Sequence, residues 1–176
     1  QSFIKIMLLQ GQKDYLSKLS PERAEAKVSI KPWDSRVITI AEDIIKTIKD
    51  KIPEADVRFM GASALRISGQ NDIDIYVLCF DKDKDTYTEK LKELFGEKTK
   101  EKKWKFFQDG FEVSVYINNP EDLKQKEQIE IFEIFKSSPQ ILKEYEELKL
   151  SMNGKTYREY QIAKYEFYNR VLGLER

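Results

Sequence analysis

The sequence predicts an α+β protein in which a small mixed β-sheet packs with helices and a C-terminal helical segment follows. Two patterns point to this class. Apolar residues recur at helical spacing from Val37 to Ile52, with charged residues between them. Short strand-like runs come next, and after residue 119 only helical patterns remain. The predicted strands are 56–60, 72–78, 104–107 and 111–117.

Length and composition exclude several classes of function. A chain of 176 residues favours one compact domain. Lys plus Arg and Asp plus Glu both number 31, so the chain lacks the general basic footprint of a nucleic-acid-binding protein. With no histidine, serine–histidine catalysis and histidine-based zinc sites are excluded. The lone Cys79 allows no internal disulfide and reads as a packed, reduced thiol.

We divide the chain into three parts that together form a single domain. Residues 1–27 are a helical leader, 28–119 an α/β core, and 120–176 helices packed on that core. Ser20 and Pro21 signal a helix start within the leader. The leader either packs on the domain or mediates dimerisation. We expect packing.

Capping and turn signals set the expected element boundaries. The long helix is capped by Asp34 or Ser35 and ends at Pro53. The capping box Thr86-x-x-Glu89 starts a helix that stops at Gly96, and Asp109-Gly110 predicts a hairpin.

Three helices are expected after the sheet. Asn119 and Pro120 begin the first, and Pro139 opens the second. The last helix runs from Tyr157 and ends near Gly173. Its tyrosine stripe is either core or a base-stacking platform, and core is the more frequent use of such a stripe.

The strand at 72–78 carries two aspartates on one face. Alternation places Asp72, Asp74 and Tyr76 together, with Ile73 and Ile75 on the opposite face. The two carboxylates lie roughly 6–7 Å apart along such a strand. They repel each other unless a cation lies between them. We therefore expect a divalent metal, Mg²⁺ or Mn²⁺, at Asp72 and Asp74.

A small-residue turn precedes the acidic strand. Gly61-Ala62-Ser63 follows a strand, and such a turn lets backbone N–H groups and a hydroxyl approach a phosphate. Arg66 nearby is either a solvated surface residue or a phosphate contact. We include all four residues in a predicted phosphate-binding site.

Glu112 alternates with apolar residues on the strand at 111–117. It is either an exposed strand residue or a third carboxylate, the role that the family resemblance described below implies. The basic turn at 98–103 is either a solvated connection or a contact to phosphates of a nucleotide or RNA.

The Gly61-x-Ser63 turn followed by Asp72-x-Asp74 resembles the nucleotidyltransferase fold of the polymerase-beta type. Within that superfamily the chain is similar to the GrpB family. The resemblance runs from about Val28 to Gly173. It includes the entry at 28–34, and the helical segments 135–149 and 157–172 are more specific to the family than the loop motif is.

The resemblance implies Mg²⁺- or Mn²⁺-dependent transfer of a nucleotidyl group from an NTP to an unidentified acceptor. It assigns catalysis and metal binding to Asp72, Asp74 and Glu112. This chain departs from the family pattern at Ala62, at Gln70 and Asn71 where many relatives carry a lysine, and in its lack of histidine.

Those departures keep two other functions open: a non-catalytic nucleotide- or ligand-binding module of the same fold, and a protein-interaction domain. Nucleic acid is a possible but not favoured partner. No apolar run is long enough to cross a bilayer, and we expect a cytoplasmic protein.

Overall fold

The computed structural model describes residues 8–174. The part of the leader at residues 1–7 lies outside them. Within the described chain the helices are α1 (Gln10–Ser17), α2 (Pro21–Glu25), α3 (Arg36–Lys51), α4 (Gly61–Ala64), α5 (Lys84–Phe95), α6 (Leu123–Ser137), α7 (Pro139–Ser151) and α8 (Tyr157–Val171). The strands are β1 (Asp56–Met60), β2 (Ile73–Leu78), β3 (Lys103–Gln108) and β4 (Phe111–Asn118).

The four strands form one mixed sheet in the order β1-β2-β4-β3. β2 and β4 run parallel, whereas β1 pairs with β2 and β3 pairs with β4 in antiparallel fashion. The parallel register aligns Ile73 with Val113 and Asp74 with Ser114. The predicted α+β class and mixed sheet are confirmed.

One face of the sheet forms the main hydrophobic core. The odd-numbered residues of β2 and β4 point to it and pack against α3 and α5. Since side chains alternate along a strand, the even-numbered residues must lie on the opposite face. The fully buried strand residues are Ile73, Ile75 and Val77 of β2, Val113 and Val115 of β4, and Trp104 of β3.

The C-terminal helices form a second, aromatic core. Phe135 stacks on Tyr145 with ring centroids 4.5 Å apart, and Phe167 packs beside both rings. Ile67, which follows the α4 turn, lies in the same cluster. This contact ties the C-terminal helices to the segment that leads into the acidic strand.

The N-terminal helices pack on α8, as we expected for the leader. Gln12 and Asn169 exchange two amide hydrogen bonds of 2.8 and 2.9 Å. Ser20 caps α2 by accepting a hydrogen bond from the Arg23 N–H, which confirms the predicted helix start. No helix among the described residues combines the length and apolar character that a membrane span requires.

Two predicted helix starts are wrong. α5 begins at Lys84, because a 3₁₀ turn at 81–83 already directs the chain into the helix and leaves Thr86 inside it. α6 begins at Leu123, because the Asn119 side chain accepts a hydrogen bond from the N–H of Glu121 and closes a local turn. Both cases show local turn bonds overriding a capping signal.

Candidate functional site

A cleft of about 820 Å³ lies over the polar face of the sheet, between it and the helices α6, α7 and α8. This volume falls within the usual range of small-molecule sites. Three carboxylates and seven lysine or arginine side chains line it, although the whole chain has no net charge. The cleft therefore concentrates positive charge around a small acidic centre.

The acidic centre is the predicted pair Asp72 and Asp74. Burial, together with the charge of Glu112, raises the pKa of Asp72. Burial and the charge of Asp72 raise the pKa of Asp74 to about 6. A charge on Asp72 therefore disfavours a charge on Asp74, as is usual for neighbouring carboxylates.

The α4 turn holds this pair in place. The predicted loop is a single helical turn, and the buried Ser63 donates a 2.6 Å hydrogen bond from Oγ to the carbonyl oxygen of Asp72. The Ser63 hydroxyl proton is therefore engaged within the protein. Gly61 has φ of +80° and lies directly against the Asp74 carboxylate.

Glu112 reaches the same cleft from β4. It precedes the register pair Ile73–Val113 by one residue, so it lies level with Asp72. Its carboxylate forms an ion pair of 2.9 Å with Lys105 on β3. Across residues 8–174, no group of three or more histidine, cysteine, aspartate or glutamate side chains has the arrangement of a metal site. The three acids therefore share a cleft without forming a three-carboxylate metal site among the described residues.

The predicted phosphate-binding residues divide into two sets. Gly61, Ala62 and Ser63 line the cleft. Arg66 is exposed, with its guanidinium 5.8 Å from the ring centroid of Trp33, and it is not among the cleft-lining residues. This position agrees with the surface interpretation of Arg66.

Sequence reasoning missed the lysines that the C-terminal helices bring to the cleft. Lys149 is only 5% exposed, and its Nζ donates a 2.6 Å hydrogen bond to the Tyr160 hydroxyl. Burial, with the nearby charge of Lys164, lowers the pKa of Lys149 to about 7. A signal was present: Lys149 lies four residues after Tyr145, at a position of the helix that otherwise carries apolar side chains.

Lys164 occupies the equivalent place on α8, four residues after Tyr160. Burial opposes its charge, but the neighbouring tyrosine hydroxyls and Asp74 raise its pKa overall. The tyrosine stripe of α8 serves two purposes. Tyr157 and Tyr160 belong to a buried cluster and also line the cleft. Tyr168 lines the cleft as well.

The fold and the cleft define an α+β protein with an acidic pair at the floor of a lysine- and tyrosine-lined pocket. The chain belongs to the GrpB family, because the sequence model of the GrpB protein matches residues 27–173. The predicted family is confirmed.

Solved structures give further similarities. The crystal structure of the conserved protein GrpB from Enterococcus faecalis matches with a TM-score of 0.59 at 13% identity, over 81% of this chain and 99% of that one. Cid1, described for its RNA terminal uridylyl transferase activity, matches with a TM-score of 0.43 at 16% identity, over 74% of this chain and 44% of its own. A Cid1 poly(U) polymerase structure with MgGTP bound gives a TM-score of 0.41 at 15% identity, over 75% and 43%. No curated protein matches this chain.

Proposed function

We propose that this GrpB protein binds a nucleoside triphosphate with Mg²⁺ or Mn²⁺ in the cleft and transfers its nucleotidyl group to a hydroxyl or amine of an acceptor. The acceptor forms a bond to the α-phosphorus as the bond between the α- and β-phosphates breaks, pyrophosphate leaves, and the acceptor proton passes to solvent. One observation carries the proposal. Two mutually repelling carboxylates, Asp72 and Asp74, lie beside a glycine turn in a cleft where lysine and arginine side chains outnumber acidic ones by seven to three. This combination suits a ligand made of phosphates and a hard cation.

The donor set fits such a cation at Asp72 and Asp74. Carboxylate oxygens are the ligands that Mg²⁺ prefers, and both groups have raised pKa values that a cation would lower again. Glu112 is held by Lys105, so it joins the set only if that ion pair opens. When bound, the metal would supply charge neutralisation at the phosphate oxygens.

The residues of this chain have separable tasks in the proposed reaction. Lys149 and Lys164 neutralise phosphate charge from the helical side of the cleft. Ser63 positions the acidic strand through the Asp72 carbonyl. Gly61 leaves room for the Asp74 carboxylate. Catalysis then consists mainly of positioning and electrostatic stabilisation.

Calorimetry with a non-hydrolysable NTP and Mg²⁺ tests the proposal. Asp74→Asn should abolish Mg²⁺-dependent binding while the protein stays folded, because the variant removes one anionic ligand. Asp81→Asn, which changes an aspartate of the 3₁₀ turn, is the matched control and should bind like the parent protein. Unchanged affinity in Asp74→Asn would rule out this site.

A non-catalytic nucleotide-binding module is the second candidate. The ion pair between Glu112 and Lys105 favours it, since this pair occupies a carboxylate to which the resemblance assigns catalysis and metal binding. Such a module would bind the NTP but form no product with any acceptor. Incorporation of labelled nucleotide into a product would exclude this candidate.

A further inference from the structure

The N-terminal segment lies outside the family match yet contributes to the cleft. The match begins at residue 27. We call residues 10–25, with helices α1 and α2, the N-terminal wall. Tyr15, Lys18 and Arg23 of this wall line the cleft. The wall therefore contributes cleft-lining side chains that lie outside the segment matched by the GrpB model.

The wall is fixed rather than loosely attached. Leu16 is buried, and its carbonyl accepts a hydrogen bond from Arg158 of α8. The hydroxyls of Tyr15 and Tyr157 are 2.8 Å apart. With the Gln12–Asn169 amide pair, these contacts hold Lys18 and Arg23 at a defined side of the cleft.

Tyrosine contacts hold two of these cations at the lining of the cleft. The Arg23 guanidinium lies 3.9 Å from the ring centroid of Tyr157. Lys103 on β3 donates a 3.2 Å hydrogen bond from Nζ to the Tyr116 hydroxyl. Both tyrosines line the cleft, so the wall and β3 each contribute a tyrosine-bound cation to it.

These cations lack carboxylate partners. Within residues 8–174, the ion pairs of up to 4 Å include none made by Lys18, Arg23 or Lys103. Cations that line a pocket and make no close ion pair suit an anionic ligand, and arginine in particular suits phosphate.

We propose that Lys18, Arg23 and Lys103 form a subsite for the phosphate of the acceptor, and that the acceptor is a small phosphomonoester such as a sugar phosphate. The geometry sets its size. Asp74 aligns with Ser114, two residues before Tyr116, and two residues of strand span roughly 6–7 Å. A hydroxyl at about that distance from the phosphate would reach Asp74. The transfer step rests on the proposed function, but phosphate binding does not.

The test measures binding of ribose 5-phosphate by calorimetry, with no metal or nucleotide present. Ribose and inorganic phosphate are the matched probes. The double variant Lys18→Ala/Arg23→Ala should weaken ribose 5-phosphate binding at least about tenfold, because charge-assisted hydrogen bonds are lost. Arg23→Lys should retain part of the affinity. Lys13→Ala/Lys27→Ala removes the same charge from exposed positions that do not line the cleft, and should bind normally.

Several results would overturn the subsite. They are absence of binding to the parent protein at millimolar ligand, equal loss in both double variants, inorganic phosphate binding as well as ribose 5-phosphate, or tighter binding of a short single-stranded RNA. The titration contains no metal and no nucleotide, so its outcome does not depend on the proposed function. Failure of the proposed function appears as a lack of nucleotide binding or transfer, whereas failure of the subsite appears as a lack of ribose 5-phosphate binding in the metal-free titration.

Discussion

Asp74 Oδ2 lies against Gly61 so closely that a Cβ atom on the glycine would sit 2.9 Å from it. The glycine has φ of +80°, a backbone conformation that residues other than glycine rarely adopt. The turn before the acidic strand thus has two reasons to be glycine, one in its backbone and one in the carboxylate it faces.

Gly61→Ala is expected to cost more than the backbone strain of about 1–2 kcal/mol, because it also displaces the Asp74 carboxylate. Gly96→Ala is the control, since Gly96 has the same φ and nothing within 4 Å of an added Cβ. Urea unfolding should show the larger loss for Gly61→Ala. Calorimetry should show that only this variant loses Mg²⁺–nucleotide affinity. Equal losses of stability and equal nucleotide affinity in the two variants would mean that the close approach of Gly61 to the Asp74 carboxylate has no effect on either property.

Ser63→Ala tests whether the hydroxyl positions the acidic strand. The substitution leaves the Asp72 carbonyl oxygen without its 2.6 Å hydrogen bond in a buried place, which should cost about 1–3 kcal/mol in the free energy of unfolding. Ser151→Ala removes a bond of the same length and type, from Oγ to the Leu148 carbonyl, at an exposed site. It should change stability by less than about 0.5 kcal/mol. A similar cost in both variants would refute the positioning role.

The charge of Asp74 should destabilise the metal-free protein. Its pKa is about 6 in the folded state against an ordinary 3.8, so the unfolded state loses its proton first as pH rises. The contribution of Asp74 to the free energy of unfolding is therefore most favourable below pH 4 and falls between about pH 4 and 6, by about 1–3 kcal/mol. Without metal, Asp74→Asn should be more stable than the parent at pH 7.5 and nearly equal at pH 4.

Thermal unfolding with and without Mg²⁺ completes this test. Mg²⁺ should raise the melting temperature of the parent protein and leave that of Asp74→Asn unchanged. Asp81→Asn should have the same melting temperature as the parent protein at pH 4 and at pH 7.5, with and without Mg²⁺. Greater stability of the parent than of Asp74→Asn at pH 7.5 without metal would show that the buried charge carries no penalty.

Lys149→Met should stabilise the protein and weaken anion binding. The pKa of Lys149 is lowered to about 7 from 10.5, so its charge penalises the folded state fully below pH 7, and the penalty fades as pH rises towards 10. We expect a gain of about 1–2 kcal/mol at pH 6, reduced by the loss of the Tyr160 hydrogen bond. The gain should shrink with rising pH.

Lys143→Met, at an exposed position of α7, is the control and should change stability by less than about 0.5 kcal/mol at either pH. Urea unfolding at pH 6 and pH 9 measures both variants. A loss of stability in Lys149→Met at pH 6 would show that this lysine serves the fold rather than a ligand.

The sequence by itself determined the local features of this protein. Alternation on β2 put Asp72 and Asp74 on one face, helical spacing identified α3, and Asp109-Gly110 marked the hairpin between β3 and β4. Such patterns depend on neighbours within a few residues, so one chain segment suffices to read them. Capping signals were less decisive, because turns at 81–83 and 119–122 competed for the same backbone groups.

Only the tertiary structure decided which distant residues meet. The parallel pairing of β2 with β4 brings Glu112 level with Asp72, and the antiparallel β3 then supplies Lys105 to pair with it. Helix packing carries Lys149 into the cleft, and the N-terminal wall adds Arg23. These contacts depend on strand order and on how apolar faces bury one another across the whole chain, and no local spacing encodes them.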